Sequence, residues 1–218
     1  RLLHPGSDPG CNAVRRACQH RAVELNRVCV YCGSNPGLDP AYVTAAEATG
    51  AELARRGIGL VYGGGSVGLM GRVADAVLAG GGEVIGVIPD FLNRREIAKP
   101  EVTTLEVTGS MHERKARMAE LSDGFLGLPG GVGTFEEIFE AITWTQLGLH
   151  DKPIGLVDTA GFWQPAVALL DRAVADGFLA EEMRAAVVVG ATTPEVLDGF
   201  AAWRRPTLGK WIENDIVL

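Results

Sequence analysis

The segment from Gly124 to Glu137 has the sequence GFLGLPGGVGTFEE. It begins with an apolar run of the length of a buried strand, continues through a cluster of glycines, and ends in residues with helical spacing. A strand that leads through glycines into a helix is typical of ligand-binding turns in parallel α/β sheets. The segment therefore predicts one strand–loop–helix unit of such a sheet.

The same alternation continues on both sides of this segment. Short apolar runs predict strands at residues 28–32, 58–62, 84–88, 124–128, 154–157 and 187–189. Helical periodicity predicts helices at residues 41–56, 68–79, 111–121, 134–147, 162–175 and 194–203. The strands are almost continuously apolar, as expected when helices cover both faces of a sheet. The sequence therefore predicts one domain over residues 27–218, a doubly wound, Rossmann-like parallel α/β sheet flanked by helices.

Composition excludes several classes of function. Hydrophobic residues make up 47% of the 218 residues and charged residues 22%, which is ordinary for a globular chain. The formal net charge of −7 argues against a general partner of nucleic acid or of anionic membranes. No apolar run approaches the roughly 18 residues of a membrane span. Glycine is the exception, with 29 residues against a usual share of about 7%.

The N-terminal part of the chain differs from the rest. Residues 1–26 mix Pro, Gly, Cys, Arg and His without a continuous apolar stretch, which predicts an extension outside the core and not a secretory signal. All four cysteines lie in the first 32 residues: Cys11, Cys18, Cys29 and Cys32. Because side chains alternate along a strand, Cys29 and Cys32 should point to opposite faces, so no metal site is predicted. A reduced, cytoplasmic protein is expected.

The glycines after the strand at 124–128 predict an anion site. Gly130, Gly131 and Gly133 allow backbone amides to surround a phosphate, and Thr134 offers either a hydroxyl ligand or a helix N-cap. The segment is not a P-loop, because no G-K-[ST] sequence follows. Glu136 and Glu137 allow two interpretations: favourable charges near the positive end of the helix dipole, or chemical groups beside the phosphate.

Two other strand–helix junctions are candidates. After the first strand, Ser34 and Asn35 could bind a nucleotide or simply shape the turn, since both residue types favour turns. After the second strand, the sequence from Tyr62 to Gly71 contains glycines with G-x-G-x-x-G spacing, and Gly64 and Gly65 are predicted to approach a ligand. No acidic residue ends the next strand to bind an NAD ribose, so a nicotinamide enzyme is disfavoured.

Cations cluster at the start of the helix predicted at 111–121. Arg114, Lys115 and Arg117 form either a solvated helix face or an anion-binding group, since arginine suits a bidentate grip on phosphate or carboxylate. His112 could act as a general base, although a histidine at a helix start is more often structural. A smaller charged cluster, Arg94-Arg95-Glu96, follows the third strand.

Two of these motifs together resemble a known family. Met111-His112-Glu113-Arg114-Lys115-Ala116 and the segment from Pro129 to Glu137 are similar to the LONELY GUY family of cytokinin riboside 5′-monophosphate phosphoribohydrolases, long labelled lysine decarboxylases. The resemblance covers about residues 28–203 and includes the glycine-rich segment from Tyr62 to Gly71. It implies hydrolysis of the N-glycosidic bond of a nucleoside 5′-monophosphate to a free base and ribose 5-phosphate.

The resemblance also implies roles for individual residues. Arg114 and Glu137 match the catalytic pair of the family. The substrate-contacting positions match Glu96, Lys115, Gly131, Val132, Gly133, Thr134, Glu136 and Thr143. No metal and no organic cofactor is implied. The chemistry suits these residues, because a carboxylate can stabilise an oxocarbenium-like centre and activate water. A decarboxylase would need a lysine that holds pyridoxal phosphate, and neither Lys115 nor Lys152 has an obvious partner set.

A second hypothesis is a carrier that binds a nucleotide or the molybdenum cofactor without catalysis, since related glycine-rich folds bind such ligands. The joint occurrence of Arg114 and Glu137 distinguishes the two hypotheses, because a passive carrier needs no such pair.

Assembly is the last expectation. The helix at 134–147 has apolar residues on more than one face, which fits either burial within its own sheet or a second packing partner. The family resemblance favours a homodimer or a higher homo-oligomer, paired through this helix and the helix at 111–121.

Overall fold

A computed structural model describes residues 24–93 and 99–206. Within them, seven parallel strands form one sheet in the order β4-β3-β2-β1-β5-β6-β7. The strands are β1 Arg27–Tyr31, β2 Gly59–Tyr62, β3 Val84–Pro89, β4 Thr104–Thr108, β5 Gly124–Gly127, β6 Ile154–Val157 and β7 Val187–Gly190. The helices are α1 Pro40–Arg56, α2 Gly68–Ala79, α3 Asp90–Asn93, α4 Met111–Glu120, α5 Val132–Gln146, α6 Gln164–Ala175, α7 Glu181–Ala185 and α8 Thr193–Ala202. The predicted doubly wound α/β fold is confirmed.

The strand order places a crevice beside β1. The chain builds the sheet outward from β1 to β4, then returns to the other side of β1 with β5, which pairs Val28 with Gly124 and Tyr31 with Gly127. The loops that follow β1 and β5 therefore leave the same edge in opposite directions. Ligands of open α/β sheets bind at this kind of switch point.

Both faces of the sheet are covered. One apolar cluster packs α1, α2 and α8 against the sheet, and a second packs α4, α5 and α6 against the opposite face. Cys29 belongs to the second cluster and Cys32 to the first, so their predicted opposite orientation is confirmed. Both are buried free thiols.

The structure differs from the sequence prediction at several elements. Strand β4 was not predicted, because it lies at the sheet edge and its residues are polar or partly exposed instead of continuously apolar. Helices α3 and α7 have only four and five residues, too few to show a helical period. Helix α5 begins at Val132, two residues earlier than predicted, with Gly131 as its N-cap. No helix among residues 24–93 and 99–206 is long and apolar enough to cross a membrane.

The predicted boundary at residue 26 stays a prediction, since residues 1–23 lie outside the part of the chain that the structure describes. Leu25 is partly buried and packs against the first apolar cluster. The backbone amides of Asn26 and Arg27 donate to Asp123 Oδ2, at 2.8 and 3.0 Å.

Candidate active site

The three junctions singled out in the sequence meet at the carboxyl edge of the sheet. The Gly33 amide, after β1, donates to the Pro129 carbonyl, after β5, at 3.0 Å. The Gly33 carbonyl accepts from the Leu69 amide at the start of α2, also at 3.0 Å. These backbone hydrogen bonds hold the three loops in fixed positions relative to one another.

The glycine loop, residues 130–133, leads into α5 and leaves backbone donors open at the start of the helix. The Phe135 amide donates to the Gly131 carbonyl at 3.1 Å, which is the first intrahelical bond of α5. The amides of Val132, Gly133 and Thr134 precede it and have no intrahelical acceptor. A methyl group placed on Gly131 or on Gly133 would meet no protein atom within 4 Å. The space above both glycines is therefore free for a ligand.

Thr134 has a different role from the predicted N-cap. It is the third residue of α5 and is buried, and Gly131 caps the helix without a side-chain hydrogen bond. A methyl group on Gly130 would lie 2.1 Å from Thr134 Oγ1 and 2.9 Å from the Gly33 amide nitrogen. Gly130 is thus required for packing between the loops. Because α5 starts early, Glu136 and Glu137 lie beyond its first turn, and the helix-dipole interpretation is weakened.

Arg114 and Glu137 form an ion pair at the centre of this edge. Arg114 Nη1 donates to Glu137 Oε1 at 3.3 Å, and both side chains are about nine-tenths buried. Two further Arg114 bonds go to backbone: Nε donates to the Val87 carbonyl at 3.0 Å and Nη2 to the Gly63 carbonyl at 3.3 Å. The guanidinium therefore holds a carboxylate between the ends of β2 and β3 and the second turn of α5.

The carboxyl of Glu137 has an unusual acidity. Burial raises its pKa to about 7, against the opposing effect of the Arg114 cation. Glu136 and Glu140 raise this pKa further, and Lys115 lowers it. A carboxyl with a pKa close to neutral can both accept and return a proton at physiological pH.

Lys115 forms a second ionic group one residue along α4. Its buried Nζ donates to Glu136 Oε1, and to Glu140 Oε1 at 3.0 Å. Burial alone would lower the pKa of Lys115, but the hydrogen bonds to these two carboxylates raise it. Thr143 lies on the same exposed face of α5, and its hydroxyl donates to the Phe139 carbonyl at 2.8 Å. Glu136, Glu140 and Thr143 therefore lie on one face of α5, and Lys115 on α4 reaches the first two.

Gly64 and Gly65 are buried, and protein atoms already fill the space beside them. Gly64 has φ +75°, and a methyl group there would lie 3.0 Å from Ile88 Cβ. A methyl group on Gly65 would lie 2.8 Å from the terminal carbon of Met70. Their predicted contact with substrate remains a prediction.

A pocket of about 270 Å³ lies between the loops that follow β1 and β5. Ser34, Gly130 and Gly131 line it together with Tyr42 and Phe162. The rings of Tyr42 and Phe162 meet edge to face, with centroids 5.9 Å apart. The pocket combines a polar turn with an aromatic wall.

Other predicted residues fall elsewhere. Arg117 is part of a surface network with Glu106 and Glu120, so the solvated-face interpretation applies to this one member of the cation cluster. His112 is exposed at the start of α4. Glu96 lies outside the described residues. Sequence reasoning missed Glu140, although its spacing of four residues from Glu136 was available as a signal.

Comparison with known proteins supports the family resemblance. A family model described as "possible lysine decarboxylase" matches residues 70–200. The cytokinin riboside 5′-monophosphate phosphoribohydrolase LOG of Oryza sativa subsp. japonica is 49% identical over 177 residues, which cover 81% of this chain and 73% of the relative. The enzyme LOG1 of Arabidopsis thaliana is 47% identical over 174 residues, which cover 80% of this chain and 82% of the relative.

Solved structures share the fold at lower identity. The molybdenum cofactor carrier protein of Chlamydomonas reinhardtii has a TM-score of 0.61 and 21% identity, covering 81% of this chain and 96% of that chain. The molybdenum cofactor binding protein of Rippkaea orientalis has a TM-score of 0.62 and 19% identity, and the match covers 83% of this chain and 98% of that chain. These likenesses establish the Rossmann-like fold and, at such identity, nothing further. The similarity to the plant enzymes over most of both chains is the decisive finding: this chain belongs to the LONELY GUY family.

Proposed function

We propose that this protein hydrolyses the N-glycosidic bond of nucleoside 5′-monophosphates, releasing a free base and ribose 5-phosphate. The observation that carries the proposal is the buried Arg114–Glu137 pair beside a glycine loop with open amides. Relatives that are about half identical are named cytokinin riboside 5′-monophosphate phosphoribohydrolases. Cytokinin nucleotides and AMP are the substrates to be tested first.

The glycine loop supplies the phosphate site in this proposal. The amides of Val132 and Gly133 lie at the positive end of α5, and the absence of side chains at Gly131 and Gly133 lets phosphate oxygens approach them. Ser34 borders the same loop from the neighbouring turn. Binding energy from the phosphate then holds the ribose in place while the glycosidic bond, which the phosphate does not touch, is broken.

Glu137 is the residue that acts on the bond. Its carboxylate takes a proton from water, the water oxygen bonds to C1′, and the bond from C1′ to the base nitrogen breaks. The base leaves with the bonding electron pair and takes up the proton that Glu137 removed from water, so atoms and charge balance and the carboxylate is regenerated. Arg114 keeps part of the Glu137 population ionised by its positive charge and fixes the orientation of the carboxylate. Lys115, Glu136, Thr143 and Glu96 are proposed to contact the substrate.

Decarboxylation does not suit Lys115 or Lys152, the two lysines considered for it. Lys115 Nζ is engaged by Glu136 and Glu140, and Lys152 Nζ donates to the Ala119 carbonyl at 2.5 Å. Lys152 also lies just before β6, at the edge of the sheet opposite the glycine loop. A carrier function would leave the Arg114–Glu137 pair without a purpose, and the likeness to carrier proteins extends only to the fold.

The direct test is incubation with AMP and with isopentenyladenosine monophosphate, followed by chromatography of the free base. Base release from both monophosphates, with rates at least about 100-fold lower for the matching nucleosides, is the expected result, since several charge-assisted contacts are lost with the phosphate. Equal rates on AMP and adenosine would refute the phosphate site. The absence of base release, together with tight nucleotide binding, would favour the carrier.

We also propose that the protein works as a homodimer in the cytoplasm. Leu147 and Leu149 at the end of α5 and Met111 at the start of α4 leave apolar surface exposed, and the two cysteines in the described residues are free thiols. Light scattering at micromolar concentration should give at least twice the 23.0 kDa of one chain. A fully active monomer under those conditions would contradict the pairing.

A further inference from the structure

The glycines between Tyr62 and Gly71 differ in what surrounds them. A methyl group on Gly68, which has φ +63°, would lie 2.2 Å from the Ser34 carbonyl carbon. A methyl group on Gly71 would lie 2.2 Å from the Ser66 carbonyl oxygen. In both cases the obstacle is backbone, which cannot move without rearranging the loops. These two glycines are required by the fold.

Gly63 is different, because its obstacle is a side chain. A methyl group there would lie 2.0 Å from Nη2 and 3.2 Å from Cζ of Arg114, and 3.2 Å from Met70 Sδ. Gly63 is not among the residues with positive φ, so its backbone conformation is open to alanine. The main chain can therefore accept a side chain at position 63, and the guanidinium of Arg114 is what must move.

Arg114 cannot move without losing the bonds described above. Its guanidinium is planar, and its three protein acceptors (the Val87 carbonyl, the Gly63 carbonyl and Glu137 Oε1) lie in three directions. The side chain is only 9% exposed, so water does not readily replace a lost acceptor. A shift of the guanidinium away from residue 63 changes its position against Glu137.

We infer that Gly63 is a positioning residue for the reaction: its carbonyl and its missing side chain seat the Arg114 guanidinium against Glu137. The expected effect on kcat rests on the proposed function. The expected displacement of the Arg114 guanidinium rests on the geometry alone. This role explains why the first position of the G-x-G-x-x-G spacing, residue 63, is a glycine.

The test compares Gly63→Ala with Gly59→Ala. Gly59 lies on the same strand, β2, at its amino end, and a methyl group there would meet Glu83 Oε2 at 3.0 Å and Arg27 Cγ at 3.1 Å, both in a solvent-accessible ion pair. For Gly63→Ala we expect kcat to fall at least about 10-fold while KM changes less than about threefold, since a displacement near 1 Å is enough for such a loss. Gly59→Ala should retain the parent kcat.

The pH profile separates a positioning role from a merely structural one. Besides Arg114, the ionisable groups that influence Glu137 are Lys115 on α4, Glu136 and Glu140 on α5, and Cys29, Tyr31 and Cys32 at β1. Gly63→Ala displaces only Arg114 among them. Because the Arg114 cation lowers the pKa of Glu137, its displacement should move the acid limb of kcat to higher pH. An unchanged limb together with unchanged kcat would overturn the inference.

A readout independent of activity completes the experiment. The Arg114 Nε–H donates to the buried Val87 carbonyl, so its hydrogen exchange, followed by NMR, should be slow in the parent and in Gly59→Ala but faster in Gly63→Ala. If the parent hydrolyses no nucleotide, the proposed function fails while this exchange comparison still decides the positioning of Arg114. Equal exchange in all three proteins would overturn the inference even in an active enzyme.

Discussion

Two glycine-rich loops lie side by side at the carboxyl edge of the sheet, and they use glycine for opposite reasons. In the segment from Tyr62 to Gly71, the Cβ positions of Gly63, Gly65, Gly68 and Gly71 are blocked by protein atoms. In the glycine loop, which ends in the first turn of α5, the Cβ positions of Gly131 and Gly133 face open space. The first loop is packed, whereas the second is packed at Gly130 and open above Gly131 and Gly133.

The difference shows that the number and spacing of glycines do not tell whether the space beside them is filled by protein or open. The packed loop has the G-x-G-x-x-G spacing, yet its glycines allow close approach of Arg114, Met70 and neighbouring backbone. The open loop lacks a named nucleotide motif, yet no protein atom lies within 4 Å of a methyl group placed on Gly133, the second residue of α5. The proposed substrate would give this glycine a role, because a side chain there would limit its approach.

The two loops meet through the Arg114–Glu137 pair, and the largest effect is expected there. Glu137→Gln keeps the shape of the side chain but can neither accept a proton nor stabilise positive charge. We expect kcat to fall at least about 100-fold, with nucleotide binding still measurable. Steady-state kinetics of base release together with equilibrium binding measures both, and near-normal turnover would remove Glu137 from the mechanism.

The packed loop should respond to substitution with a loss of stability. Gly71→Ala places a methyl group 2.2 Å from the Ser66 carbonyl oxygen, so the backbone must shift. We expect the free energy of unfolding to fall by about 2 kcal/mol or more. Urea denaturation of Gly71→Ala beside the parent gives this value, and an unchanged midpoint would mean that the loop is not packed as described.

The open loop should respond in the reverse manner. Gly133→Ala adds a methyl group that contacts no protein atom and improves helix propensity, so stability should stay the same or rise by about 0.5–1 kcal/mol. The affinity for a nucleoside 5′-monophosphate should nevertheless fall about 10-fold, because the methyl group occupies the ligand's space. A variant that is destabilised yet binds normally would reverse the roles of the two loops.

The pH dependence of stability gives the smallest effect. The pKa of Glu137 is raised to about 7 in the folded protein, above its ordinary value of 4.5, so the unfolded chain loses this proton first as the pH rises. The free energy of unfolding should therefore fall between about pH 4.5 and pH 7. In Glu137→Gln this fall should be smaller by on the order of 1 kcal/mol. Thermal denaturation across that range measures it, and parallel curves for both proteins would contradict the burial of an ionisable carboxyl.

Some of this architecture could be predicted from sequence and some could not. The central strands are continuous apolar runs bounded by glycine or proline, and that pattern depends only on neighbours along the chain. Strand β4 was missed because at the sheet edge Thr104 to Thr108 needs no apolar face on either side. Glu137 and Arg114 could be singled out because they lie in motifs, whereas the Gly63 and Val87 carbonyls bind Arg114 across 51 and 27 residues of chain. Such contacts are set by strand order and leave no local pattern.

The most direct test of the two-loop account is the affinity for ribose 5-phosphate, the phosphorylated product, measured by titration calorimetry in three proteins. The account predicts that Gly63→Ala binds within about threefold of the parent, because the phosphate site is intact, and that Gly133→Ala binds at least about 10-fold more weakly. The same loss of affinity in both variants, or a loss confined to Gly63→Ala, would contradict it.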